Sequence, residues 1–160
     1  MINRDRIERI KQERKIDAVV DATKSSVQRY TELDKTSVSI EVLKEYKMAQ
    51  LKELCQEDIY SGFTATVGGT DYFFSFDAEA QANFTGSVVT IATGLITSIP
   101  EWTVKLNGEY TRINMTVEEF KEVALHGFYI KDQKIAKLRN VLEPSLKKAK
   151  TIEEVDSIIW

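Results

Sequence analysis

Residues 59–86 read IYSGFTATVGGTDYFFSFDAEAQANFTG, and the periodicity of this stretch decides the fold class. Its composition alone suits several roles: the glycines a phosphate loop, the aromatics a binding platform, the Gln81 and Asn83 pair a polar site. Spacing separates them. After Gly62, Phe63, Ala65 and Val67 alternate with threonines, and Tyr72, Phe74 and Phe76 alternate on the return. Between the two runs Gly68-Gly69 supplies the positive φ angles of a tight turn, so the pattern predicts a two-stranded hairpin. From Asp77, placed as an N-cap, the period changes. Phe84, Val88, Ile91 and Leu95 step by four, three and four, which predicts a helix over 79–95 with those residues on its buried side.

The same reading extends outward. Towards the C-terminus, Trp102-Thr-Val-Lys-Leu and Glu109-Tyr-Thr-Arg-Ile flank Asn107-Gly108, a strong short-range hairpin signal. Thr116-Val-Glu-Glu119 has the form of a capping box and predicts a long helix over 116–143, buried through Phe120, Val123, Ala124, Gly127, Ile130, Leu138, Val141 and Leu142. Pro144 is expected to kink or end it, because proline cannot donate to the helical ladder. Thr151-Ile-Glu-Glu154 repeats the box before Val155, Ile158, Ile159 and Trp160, an apolar lead-in that predicts a packed indole. Towards the N-terminus, Ser39 is placed to cap a helix running to about Tyr60. Leu43, Leu51, Leu54, Cys55 and Ile59 form its apolar stripe, while Lys44, Lys47, Lys52, Glu53 and Glu57 take the other face.

Residues 1–30 differ in character. Ile7, Ile10, Ile16, Val20, Val27 and Tyr30 make a thin stripe between dense charges, suited to lying in another protein's groove, and TELDKTSVS over 31–39 reads as a connection. The architecture expected is therefore α+β: helices with two small β-hairpins, a long C-terminal helix and an extended N-terminal helical arm. The arm spans 1–38 and the compact domain 39–160.

Composition narrows the function. An apolar fraction of 42% over 160 residues supports a real core, and a net charge of −3 from 22 basic and 25 acidic residues lacks the positive surplus that phosphate backbones require. Nucleic acid and membrane are not expected partners, and the charged start MINRDRIERIKQERK does not read as a signal peptide. His126 sits between Val123 and Ile130 at helical spacing, which predicts a half-buried packing residue, because no nucleophile and carboxylate can be matched to it. One His and the single Cys55, on separate helices, do not make a metal site, and Cys55 stands in an apolar stripe as a small hydrophobe. Gly68-Gly69 lacks the Lys-Ser/Thr of a phosphate loop. Catalytic, cofactor-binding and metal residues are accordingly expected to be none, and the protein is expected not to be an enzyme.

The order of short motifs resembles a family of small domains of unknown function found in tailed-bacteriophage tail-fibre, baseplate and fibre-assembly proteins. Its pattern is carried here by Ile59-Tyr-Ser-Gly-Phe63, Gly68-Gly69, Tyr72-Phe-Phe74, Gln81-Ala-Asn-Phe-Thr-Gly86 and Ala149-Lys-Thr-Ile-Glu-Glu-Val-Asp-Ser-Ile-Ile-Trp160, over about residues 45 to 160. One departure lies around Phe76, where that family often has a proline-bearing Y-P segment. The resemblance implies a structural component of a bacteriophage or phage-like tail particle, at the baseplate or tail-fibre junction. Such a chain docks on other tail proteins in several copies, and moves from host cytoplasm during assembly to the mature virion or particle. A tail-fibre assembly chaperone, absent from the finished particle, is the alternative. Within this reading Gly62, Phe63, Gly68, Gly69, Gln81, Asn83 and Trp160 specify the fold. Gln81 and Asn83 are expected to be buried, their amides satisfying the backbone of the Gly68-Gly69 hairpin. Ile7, Ile10, Ile16, Val20, Val27 and Tyr30 are the expected docking residues.

Overall fold

A computed structural model describes residues 23–160. The elements in order are α1 (Ser26–Glu32), α2 (Ile40–Tyr60), β1 (Phe63–Val67), β2 (Thr70–Phe74), α3 (Ala78–Ala92), β3 (Ser98–Leu106), β4 (Glu109–Thr116), α4 (Val117–Lys137), a π-helical stretch (Leu138–Leu142), α5 (Glu143–Lys148) and α6 (Ile152–Asp156). The class is α+β, as the alternating periods predict. The described residues form two compact units: those from 23 to 53 with Ser145–Ile159, and Leu54–Pro144 with Trp160. Ile7, Ile10, Ile16 and Val20 lie outside the described residues.

The larger unit is built on the stretch read first. β1 and β2 pair antiparallel with Phe63 opposite Phe74 and Val67 opposite Thr70, closed by Gly68 and Gly69 at φ 56° and 81°. Both hairpins join one antiparallel sheet in the order β1-β2-β3-β4, a union made through Phe73 opposite Lys105. Asn107 and Gly108, both at positive φ, turn the second hairpin. The alternating residues Phe63, Val67, Phe74 and Val104 are buried, and α3 and α4 supply Phe84 and Phe120 to the same core. The aromatics answer the question posed by their density: they are core. Phe84 has Phe63, Phe74, Phe76, Trp102 and Phe120 around it at centroid distances of 4.8–6.3 Å. Aromatic pairs at such separations add stabilisation beyond area burial.

Several expectations are corrected by the geometry of helix ends. Asp77 caps α3 through the Ala80 N–H at 2.8 Å, but the helix stops at Ala92, and Gly94 at φ 70° turns the chain away. Leu95, expected on the buried stripe, is 76% exposed, and Val88 also faces solvent. The capping box at Thr116 and Glu119 forms as expected. Downstream, the helix does not break at Pro144. The Glu143 N–H donates to the Leu138 carbonyl in the wider π-helical stretch, and Pro144 then sits in the first turn of α5, where its missing N–H matters least. The extra residue in that turn rotates the face, so Leu142 is buried and Val141, expected inside, is exposed. At Thr151 only half of the second box forms: the Thr151 hydroxyl accepts from the Glu154 N–H, but the Glu154 carboxylate accepts from the Lys150 N–H.

The smaller unit gathers Tyr30, Leu43, Leu51, Leu146, Ala149 and Val155. Helix α1 is a separate short element, because Ser25 and Gln28 form a capping box that starts it afresh. Ser39 meets the Val42 N–H at 3.3 Å, as its placement before α2 predicts. Lys47, assigned to the charged face, is instead buried, since it continues the four-residue step between Leu43 and Leu51. Its ammonium lies 4.5 Å from the Tyr30 ring centre, a cation–π placement that offsets lost hydration. The Tyr30 hydroxyl donates to Asp156, and Lys35 Nζ reaches the same carboxylate at 2.6 Å.

Candidate docking surface

The expected site residues separate once folded. Tyr30 is buried within its own unit and Val27 is half-buried, so Tyr30 is not an exposed docking residue. The correction follows from Asp156, which captures the Tyr30 hydroxyl, and from Lys47, which covers its ring. Burial and that hydrogen bond push the Tyr30 hydroxyl pKa upward. Burial also opposes the charge on Asp156, but the hydrogen bonds from Lys35 and Tyr30 outweigh it and hold the carboxyl below its usual range.

Gln81 and Asn83 do not serve the Gly68-Gly69 turn. Gln81 Nε2 donates to the Phe76 carbonyl at 2.8 Å, and its oxygen accepts from Lys131 Nζ at 2.6 Å. Gln81 therefore ties the strand exit to α3 and α4. Asn83, two residues on, points 200° around the helix and is exposed. The Gly68 N–H instead helps Glu119, whose carboxyl is held low first by the Thr116 backbone and hydroxyl and further by Gly68. The remaining fold-specifying residues behave as read. A Cβ on Gly62, at φ 84°, would lie 2.5 Å from the Phe74 carbonyl oxygen, and Phe63 is buried. Trp160 Nε1 donates to Asp58 Oδ2 at 3.1 Å, with Lys137 Nζ 4.4 Å from its ring centre. His126 is exposed rather than half-buried, its ring edge-on to Phe63 at 5.7 Å. Cys55 is a buried thiol whose pKa is pushed up by burial, then by Asp58.

What is brought together lies on either side of α3. Residues 80–100, AQANFTGSVVTIATGLITSIP, contain no charged side chain in a sequence that is 29% charged. On one flank this run exposes Val88, Val89 at 57% and, past the helix end, Leu95. On the other flank an open groove of about 630 Å³ separates α3 from β3. Its α3 wall includes Ala80, Asn83, Ser87 and Thr90, and its β3 wall runs from Pro100 to Thr103. The groove exists because β2 ends at Phe74 and pairs with β3 only around Lys105, leaving the start of β3 without a strand neighbour on that side. That edge is blunted against further pairing. Pro100 has no N–H, a bulge shifts the register between Ile99 and Trp102, and Glu101 at φ 54° gives its N–H to Asn114 Oδ1 at 3.0 Å.

Sequence reasoning missed this surface because it took the neutral run only as a helix of β-branched residues; the absence of charge over so long a run was the signal. Among the described residues, no group of His, Cys, Asp and Glu is arranged to hold a metal ion, and no helix is long and apolar enough to cross a membrane. No curated protein and no solved structure matches the chain. The family model described as "Domain of unknown function (DUF4376)" matches residues 42–159, from the first turn of α2 through α6. With that match spanning most of its length, the chain belongs to the DUF4376 family.

Proposed function

We propose that this protein is a structural component of a bacteriophage or phage-like tail particle, at the baseplate or tail-fibre junction. In this reading it docks non-catalytically on other tail proteins, in several copies per particle. The motif resemblance set out above supports the tail assignment. The single observation that supports docking is the uncharged run 80–100, which leaves Val88, Val89 and Leu95 on the outside in a sequence that is 29% charged. Burying exposed apolar area against a partner is favourable by about 25 cal/mol per Å², and a charge-free patch offers no ion that must be desolvated first. The docking role moves accordingly from the α1 end of the expected arm to α3, while the part of the arm holding Ile7, Ile10, Ile16 and Val20 remains a candidate second contact.

The experiment is peptide mass mapping of purified particles from cells producing the chain, in parallel with the Val89→Lys, Leu95→Lys double variant. The native chain is expected in particles at fixed stoichiometry, and the double variant, folded by circular dichroism, at one-tenth of that level or less. A native chain missing from finished particles would defeat the structural reading in favour of an assembly chaperone. A double variant that is incorporated normally would defeat the α3 surface.

A further inference from the structure

The groove between α3 and β3 carries a separate assignment, because its chemistry differs from that of the apolar flank. Its lining includes Trp102, half-buried, whose indole has the Phe84 and Phe120 ring centres at 4.8 Å and 5.0 Å packed against it and fixing its plane. The walls offer short neutral donors and acceptors, namely Ser75, Asn83, Ser87 and Thr103. Among the described residues, the side chains of Ser75, Asn83 and Ser87 have no protein hydrogen-bond partner, so their polar atoms face the groove or solvent. The only ionic groups lining it are the carboxylates of Asp77, Glu79 and Glu101, with no Lys, Arg or His.

From this we infer that the groove is a binding site for a neutral saccharide. A pyranose has one face of C–H groups, which suits the electron-rich face of an immobilised indole, and a rim of hydroxyls that both donate and accept. Asn83 provides both donor and acceptor, while the carboxylates accept from paired hydroxyls. Among the described residues Asp77 and Glu79 carry no ion pair, while Glu101 meets Arg112 Nη1 at 3.5 Å outside the lining, so the net charge at the groove is negative and disfavours phosphate, sulfate and acidic sugars. The volume of about 630 Å³ falls within the range of small-molecule sites, and its openness to solvent along α3 suits a piece of a chain rather than an enclosed monomer. A peptide strand is the poorer fit, since Pro100, the bulge and the occupied Glu101 N–H remove the edge hydrogen bonds that strand addition uses.

The test is a titration of the ¹⁵N-labelled full chain with neutral hexasaccharides of glucose, mannose, galactose and N-acetylglucosamine, followed by NMR. Sialyllactose, inorganic phosphate and a Gly-Ser-Thr peptide are titrated in parallel. At least one neutral hexasaccharide is expected to shift the Trp102 indole N–H and the Asn83 side-chain amide together and saturably. Asn83→Ala, an exposed change away from the core, should weaken that binding ten-fold or more, and Gln133→Ala, on α4, should leave it unaltered. Trp102→Ala should abolish binding, but because Trp102 packs on Phe84 the result from Asn83→Ala decides. Any of three results would overturn the proposal: no shift with any neutral saccharide at millimolar concentration, shifts that avoid Trp102 and Asn83 or survive Asn83→Ala, or tighter groove binding by phosphate, sialyllactose or the peptide.

Discussion

The two units of this protein keep their polar groups in opposite ways. In the larger unit the core is aromatic and dry: seven ring-bearing residues, Phe63, Phe74, Phe76, Phe84, Trp102, Phe120 and Phe128, are linked by ring contacts, and its ion pairs, such as Lys134 to Asp58 at 3.0 Å, keep exposed carboxylates. In the smaller unit, among the described residues, an ammonium and a phenol, Lys47 and Tyr30, lie inside beside Leu43, Leu51, Leu146 and Val155, and both meet the partly exposed carboxylate of Asp156 or its neighbours. The difference teaches where tolerance lies. Close-packed rings penalise any change of volume, whereas a polar cluster penalises the loss of one partner while the others stay buried.

The comparison breaks most readily at Phe84. Phe84→Ala should cost about 3–5 kcal/mol, because the cavity it leaves among fixed rings collapses poorly, and urea unfolding followed by tryptophan fluorescence reads that loss directly. A loss below about 1 kcal/mol would mean that the ring cluster is not the close-packed body described. Gly62→Ala comes next, at about 2–3 kcal/mol, from a positive φ and a Cβ driven against the Phe74 carbonyl. Its thermal midpoint should fall well below that of Gly69→Ala, whose Cβ would meet nothing within 4 Å.

The smaller unit sharpens the contrast through pH. The Asp156 carboxyl is held low when folded, so its contribution is fully present above the unfolded value of about 4 and is lost as pH falls through the lower folded value. Asp156→Asn should therefore cost up to about 1 kcal/mol at neutral pH, after screening of a partly exposed carboxylate, and the native-to-variant gap should close as pH falls through the lowered folded value. A gap that persists in acid would show that the carboxylate charge is not what Tyr30 and Lys35 require. Lys47→Met, which removes the buried charge but keeps the stem, should change stability by less than about 1 kcal/mol in either direction. Smallest of all, Val89→Lys and Leu95→Lys should each lie within about 0.5 kcal/mol of the native chain by thermal circular dichroism, since exposed positions have little packing to lose.

Much of the fold was legible in local chemistry. Both glycine turns, the Asp77 cap, the Thr116 box and the change from strand to helix period are properties of a few neighbouring residues, so they survive without knowledge of the rest. The box at Ser25 and Gln28 was equally local and went unread because the thin stripe through Val27 and Tyr30 drew one long helix across it. The candidate surface was half legible. The missing charge over 80–100 is plain in the sequence, but which of its apolar residues are buried depends on where α3 stops, and Gly94 decides that.

By itself, then, the sequence determined the α+β class and two glycine-turned hairpins, because each follows from contacts between residues close along the chain. Only the tertiary structure decided that the two hairpins share one sheet, that Lys47 and Tyr30 lie inside, that Gln81 serves Phe76 and Lys131 while Asn83 faces a groove, and that a π-helical turn carries the chain past Pro144. Lys47, Tyr30 and the Gln81 to Lys131 bond depend on partners 17 to 126 residues away. A helical or strand period gives the side of an element on which a residue sits, but the energy of burying it is set by what the remote chain places opposite.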